Sequence, residues 1–466
     1  MRDGTAPGRV GCPAPQTARE GGITRRQLLR WGSGGVLGTL GAGIVSGCGL
    51  PASAARRSAQ SPVRAGQPVN LTFWTWLPVQ SVVSQWNKQR PDIQVSLQVI
   101  PAGSSGGYQK MYSALRAGNA PDLAHVEYQE IPSFLLVQGL TDLRPYGVEK
   151  YRADFVDWQW QQGVFGDGMF MVPWASGPIA MFYREDLFNK WDITPPATWP
   201  EFETAARRVR KLAPSAYLHS FPPSNAAWFE GLAWQAGGEW VKSDGDTWII
   251  DIDNAQTRKV AAFWDRLIRD DLVMIENDGT SAWYKQLQDG SLACYVSSDW
   301  YDALIEDNAP NTAGKWRTTG MPQWTPGAQT AANWGGSSVA VLQGSRYPTQ
   351  AMEFAHWFTT NVSAVNATFL LGSGWPALSG AFGQTVLSQK SKFFGGTVYN
   401  EAFNVADAHI NDNWRFLPTN DAMIDHMNDA FSAAIASNGS LESALADVQA
   451  LAIGDMKAKD LKVRAA

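Results

Sequence analysis

The chain has 466 residues, with 38 Lys and Arg against 43 Asp and Glu, a net charge of −5. That length exceeds one small core and predicts two domains of roughly 200 residues, and the acidic balance argues against nucleic acid, which rewards a basic face. Three Cys and five His leave little for a disulfide framework or a metal site, whereas 22 Trp stand out.

Arg25, Arg26 and Arg30 form a basic patch, followed by an uncharged, Gly-rich run over 31–45. At about 15 residues the run is short for a ~30 Å hydrocarbon core, and Gly is a poor helix former. Basic patch, short apolar run and small residues at its end predict an export signal over 1–47. Thr24-Arg25-Arg26-Gln27-Leu28 resembles the twin-arginine export motif, and Val45-Ser46-Gly47-Cys48 resembles a bacterial lipobox. The latter resemblance implies cleavage before Cys48 and lipid on its sulfur, a membrane anchor that is stable once two or more acyl chains are present. With the leader's six Arg and two acids removed, 32 basic and 41 acidic side chains remain, a net charge of −9. Only Cys48 and Cys294 are left, and with Cys48 lipidated no disulfide is expected. Residues 48–68 are small, polar and Pro-containing, the composition of a flexible tether.

Folded structure is expected from Val69. A strand over 69–74 precedes a helix over 80–90 that stops before Pro91. Ile93, Val95, Leu97 and Val99 alternate with polar residues, which is strand periodicity. A helix over 108–117 ends at Gly118-Asn119, and Pro121-Asp122 opens a third strand. This β-α-β-α-β order predicts a mostly parallel sheet flanked by helices. Further on, a strand is expected over 179–184, and Thr198 with Glu201 spells a capping box for a helix reaching Leu212. After a strand over 248–252, Asp253 and Gln256 are expected to cap a helix with Val260, Phe263, Trp264, Leu267 and Ile268 on one face. Strands over 291–296 and 339–342, a helix over 350–360 and helices over 422–436 and 441–457 complete the pass. There is no internal repeat.

Some Trp must pack in the core, but several sit beside Pro, Gly or polar residues, as loop positions do. Trp76, Trp174, Trp300, Trp334 and Trp375 are the ring candidates, since loop aromatics commonly face a ligand; core packing against Phe229 explains Trp228 equally well. The five His fall at no metal-ligand spacing, and no nucleophile elbow or phosphate loop appears. Cys294 lies in an apolar strand and reads as a buried, unreactive thiol. Glu127, Glu130, Asp299 and Asp302 stand near aromatics, so a glycosidase carboxyl pair is open on sequence grounds.

The order of motifs carries more than any one of them. Pro121-Asp122-Leu123-Ala124, Gly139-Leu140-Thr141-Asp142-Leu143, Gly168 to Pro173, Met181 to Phe188, Pro195 to Phe202, Gly290 to Tyr295 with Asp299-Trp300, Gly335-Gly336 and Ala351 to Phe358 resemble, in sequence, the blocks of the family 1 extracellular solute-binding proteins, the carbohydrate-binding components of ABC importers. Cys294 and Ser298-Asp299 depart from the family pattern, and residues 379–413 match no block. The resemblance implies an α/β, type II periplasmic-binding-protein-like fold of two lobes, each a mostly parallel sheet flanked by helices, with the ligand cleft between them. By analogy, 69–174 plus 333–366 form one lobe and 176–329 plus 369–466 the other, closing by a hinge motion.

A sugar offers an apolar C–H face to a ring and a rim of hydroxyls to carboxylates and amides. The polar candidates are therefore Glu127 and Gln129, Asp299 beside Trp300, and Arg415, with Tyr128 able to serve either way; Gly335 and Gly336 would let backbone N–H groups approach. The expected protein is a monomeric, non-enzymatic, lipid-anchored binder without cofactor or metal. It would hand a carbohydrate, with so many rings an oligosaccharide, to ABC transporter permease subunits. An exported enzyme using paired carboxylates, or a binder of a non-sugar solute such as a glycerophosphodiester or peptide, are the alternatives. For a phosphate ligand, only Arg415 stands near the aromatic positions.

Overall fold

The computed structural model describes residues 68–466; the export signal, Cys48 and the tether up to residue 67 lie outside the described residues. Six strands form the first sheet, in spatial order Trp375–Pro376, Val172–Ser176, Ser337–Val341, Leu123–Glu127, Val69–Thr75, Ile93–Val99. The last three are mutually parallel, as the β-α-β-α-β reading requires. Ser337–Val341 runs against both of its neighbours. Phe73 on this sheet packs edge-on against Phe354 and Phe358 of helix Pro348–Thr360, at 5.8 and 5.5 Å between centroids.

The second sheet has three strands, with Ile179–Arg184 between Cys294–Ser298 and Trp316–Gly320. Both outer strands are antiparallel to the middle one and hence parallel to each other. Helix Tyr301–Asn308 lies between them in sequence. The result is a two-lobed α/β fold of the type II periplasmic-binding-protein kind, but the expected mostly parallel sheet is found in neither lobe: two of the five pairings in the first sheet are parallel and neither in the second, because the strands entering from the crossing run against their neighbours.

Local chemistry follows the sequence with one difference. Thr198 and Glu201 form the expected capping box at the start of helix Trp199–Leu212. Helix Ala255–Arg269, however, is capped by Asn254, whose side chain accepts from the N–H groups of Gln256 and Thr257. Asp253 sits one residue too early and pairs with Arg258 instead. The Trp excess is mostly core: Trp86, Trp160, Trp199, Trp228, Trp234, Trp240, Trp264, Trp283, Trp316 and Trp414 are fully buried.

Two strands of chain cross between the sheets side by side. Ile179 N–H donates to Ala332 O at 3.0 Å and Trp334 N–H to Gly177 O at 2.9 Å. Gly177 N–H donates to Asn333 Oδ1 at 2.7 Å. A Cβ on Gly177 would stand 2.0 Å from Trp334 O, so this crossing requires glycine. The chain beyond 369 does not go over to the second sheet at once. Trp375 and Pro376 pair with Ser176 and Ala175, and Val386 N–H donates to Asn366 Oδ1. Gly374, at φ +94, makes that return possible by passing against Ser176 O. Among the described residues, no helix is long and apolar enough to cross a membrane.

Candidate functional site

A cavity of about 450 Å³ lies where the crossing strands meet both sheets, within the range of small-molecule sites. Its first wall is built at the carboxyl ends of parallel strands, the usual ligand position in open α/β sheets. Trp76 follows Val69–Thr75, Glu127 closes Leu123–Glu127, and Gln129 occupies the turn beyond. The crossing supplies Ser176, Asn333, Trp334, Gly335 and Gly336. The opposite wall comes from helix Ala226–Gln235 through Ala227 and Glu230, from Trp300 after strand Cys294–Ser298, and from Phe416, Asn420, Asp421 and Ile424.

The rings are fixed by neighbours. Trp76 stacks on His125, with centroids 3.4 Å apart and planes 16° from parallel. His125 Nδ1 lies 3.0 Å from Thr75 Oγ1, and burial holds the imidazole well below its ordinary pKa, so it is neutral. Trp300 lies 4.8 Å from Trp334 at 59° and donates its indole N–H to Trp334 O at 3.3 Å. Gly336, at φ +107, sits over Tyr128: a Cβ there would be 2.7 Å from that ring.

Glu127 accepts the Tyr108 hydroxyl at 2.6 Å; burial pushes its carboxyl up, and that hydrogen bond pulls it back. Burial holds Glu230 up to about 8, against a lowering hydrogen bond from Asn420 and a raising push from Asp421. Burial and neighbouring Asp421 likewise raise Glu130, which accepts from Tyr112 at 2.8 Å behind the wall. His125 Nε2, Glu230 Oε1 and Asn420 Oδ1 are buried with no hydrogen-bond partner among the described residues. Flat rings beside polar groups with unused hydrogen-bonding capacity suit a ligand with apolar faces and a polar rim.

Of the residues singled out from the sequence, Trp76, Glu127, Gln129, Trp300, Trp334, Gly335 and Gly336 share this wall. Five do not. Tyr128 is buried and donates to Gln159 Oε1 at 3.0 Å. Trp174 packs between His125 and Phe358, at 4.5 and 4.9 Å. Trp375 is buried in its sheet-edge strand and stacks on Phe382. Asp299 is fully buried, neither carboxyl oxygen having a partner among the described residues, and burial with Asp302 and Asp407 nearby raises it well above the usual range. Arg415 donates to the Trp414 and Asp412 carbonyls and lines, with Tyr128, a separate hollow of about 630 Å³.

Sequence reasoning passed over His125, Ser176, Glu230, Asn333, Phe416, Asn420 and Asp421. Glu230 had a signal: it is the one charge in an otherwise apolar helix, AAWFEGLAWQ, and such a charge needs a reason to be buried. Asn420-Asp421 reads as an ordinary helix start.

Known proteins share this arrangement of chain. The solved structure of the galacto-N-biose-/lacto-N-biose I-binding protein of an ABC transporter from Bifidobacterium longum, in complex with lacto-N-biose, superposes with a TM-score of 0.77 at 28% identity, covering 86% of this chain and 100% of that one. An arabinooligosaccharide-binding protein of Halalkalibacterium halodurans is 22% identical over 72% of this chain and 78% of its own. A lactose-binding protein of Rhizobium radiobacter is 24% identical over 61% and 69%. The pattern of the bacterial extracellular solute-binding proteins matches residues 78–365. That span runs from just past the first strand through both crossings, more than half of the chain, and the chain belongs to the bacterial extracellular solute-binding protein family.

Proposed function

We propose that the chain captures a carbohydrate, specifically an oligosaccharide, in the cavity between its sheets and delivers it to the permease of an ABC importer without covalent chemistry. The observation that carries this reading is the pairing of Trp76, Trp300 and Trp334 with open polar groups from both sides of one cavity. Rings cover the sugar's C–H faces, and each polar group left unpaired by a wrong hydroxyl costs about 1–3 kcal/mol. The relatives' ligands, an arabinooligosaccharide, lactose and lacto-N-biose, are of the same class. In this reading 69–174 with 333–387 form one lobe and 176–329 with 388–466 the other. Closing on the ligand is a hinge motion about the crossing at Gly177 and Asn333. Lipid on Cys48 keeps the body beside its permease; mass spectrometry of the mature N-terminus checks this, and an unmodified Cys48 or cleavage elsewhere excludes it.

Calorimetry with a broad oligosaccharide panel tests the ligand class, and no heat at millimolar ligand would exclude it. Trp300→Ala should weaken binding at least ~10-fold, a loss of about 1.4 kcal/mol, with the fold intact by circular dichroism. Unchanged affinity would remove Trp300 from the site. One observation favours a second reading: a carboxyl held up to about 8, as Glu230 is, suits a general acid. A hydrolase would release new reducing ends from oligosaccharides and lose that turnover in Glu230→Gln. A binding protein releases none.

A further inference from the structure

The ionisable groups of the cavity wall are acidic apart from one imidazole. The wall's carboxyl groups are Glu127, Glu230 and Asp421, and neither Lys nor Arg stands among the lining residues. Burial keeps the one imidazole, His125, neutral. Elsewhere among the described residues carboxylates commonly meet a guanidinium: Glu353 with Arg90, Glu203 with Arg207 and Arg266, Asp253 with Arg258. None of the three cavity carboxyls is in such an ion pair among the described residues, although Asp421 also borders a neighbouring hollow lined by Arg116 and Lys459. Glu127 has the Tyr108 hydroxyl. Glu230 is only 6% exposed, yet its Oε1 has no partner among the described residues, and neither has Oδ1 of neighbouring Asn420. A buried carboxyl without a counterion stays protonated until positive charge arrives from outside. Trp76, Trp300, Trp334 and Phe416 line the same space, and aromatic faces also attract cations.

We propose that the cavity selects carbohydrates bearing a free, positively charged amine, with Glu230 and Asp421 receiving the ammonium, that it ranks neutral sugars behind them, and that it rejects uronates and sulfated sugars. This rests on the carbohydrate reading and names the class within it. An ammonium donates charge-assisted bonds to a carboxylate, roughly twice as strong as neutral ones, and has donors to spare for Asn420 Oδ1. A neutral hydroxyl can pair with the carboxyl but leaves it protonated, so it forms only a neutral hydrogen bond there. A uronate adds a like charge where no cation offsets it. Burial, with Asp421 adding to it, holds Glu230 protonated near neutral pH; on arrival of an ammonium the carboxyl ionises and its proton leaves to bulk water.

The test is a charge ladder on fixed skeletons, using the wild-type protein. Calorimetry compares free-amine, N-acetylated, plain hydroxyl and uronate forms of β-linked disaccharides in both gluco and galacto configuration. The free-amine form should bind at least ~10-fold tighter than the hydroxyl form of the same skeleton, and the uronate should give no heat. Glu230→Gln, whose melting temperature is checked first, should collapse the amine-to-hydroxyl ratio towards one, and Asp421→Asn should reduce it. Neutral sugars binding as tightly as amines, or uronates binding at all, would overturn the charge selection while leaving the carbohydrate reading standing. Binding of no sugar in any form would overturn both.

Discussion

Trp76 faces the cavity because His125 lies flat beneath it and Thr75 meets that imidazole from the side. None of these contacts shows in a local sequence window, since residues 75 and 125 lie on neighbouring strands. The same limit explains the displaced candidates. A Pro or Gly beside Trp174 or Trp375 reports an irregular backbone, not the direction of the ring, and both rings turn inward. Gly336 is legible in the sequence, but its reason is structural. With φ +107 and the Tyr128 ring where its Cβ would be, Gly336→Ala should destabilise the fold by about 1–3 kcal/mol, read as a lowered urea midpoint. An unchanged midpoint would mean that Tyr128 moves aside freely.

Elements were the most readable level, because capping and periodicity act over four residues or fewer. The Thr198–Glu201 box is reciprocal: Glu201 N–H donates to Thr198 Oγ1 at 3.3 Å, and Thr198 N–H donates to Glu201 Oε2 at 3.1 Å. Thr198→Ala should cost about 1 kcal/mol. Because this helix contributes nothing to the cavity wall, ligand affinity should stay unchanged in the same preparation. A shift in affinity would reveal coupling between this helix and the cleft. The cap at Asn254 shows the limit of such reading: Asp253 and Asn254 are both good caps, and the extended backbone at Asn254, with φ −83 and ψ 167, decides between them.

At the scale of the whole molecule, buried carboxyls set the pH response. Asp407 accepts from Trp158 Nε1 and Ser176 Oγ, both at 3.4 Å, tying helix Glu401–Asp407 to the first sheet. Burial raises it to about 7, Glu230 to about 8 and Asp302 to about 6. A carboxyl raised in the fold contributes stability that is fully present below its ordinary range and is lost as pH rises through the raised value. Asp186 and Glu203, lowered by their Arg partners, act oppositely and lose their contribution only at more acidic pH. Buried His125 and His219, held neutral in the fold, oppose this below the ordinary imidazole range, but the raised carboxyls are more numerous, so the melting temperature should be higher at about pH 5 than at pH 8. Asp407→Asn should flatten part of that slope and raise the pH 8 value. A protein more stable at pH 8 would show that these groups are charged in the fold.

Sequence by itself determined the two-lobed α/β class, the first parallel strands, the principal helices and the family, because hydrophobic period, caps and ordered motifs are written along the chain. It also marked Trp300, Trp334 and the Gly335-Gly336 pair. Only the tertiary structure decided which rings share a cavity, that Glu230 and Asp421 meet across from Glu127, and that the strand at Trp375 returns to the first sheet. Those are contacts between segments 100 to 300 residues apart. They depend on the burial and packing of the whole chain, and no local pattern encodes where a side chain ends up once distant segments have closed around it.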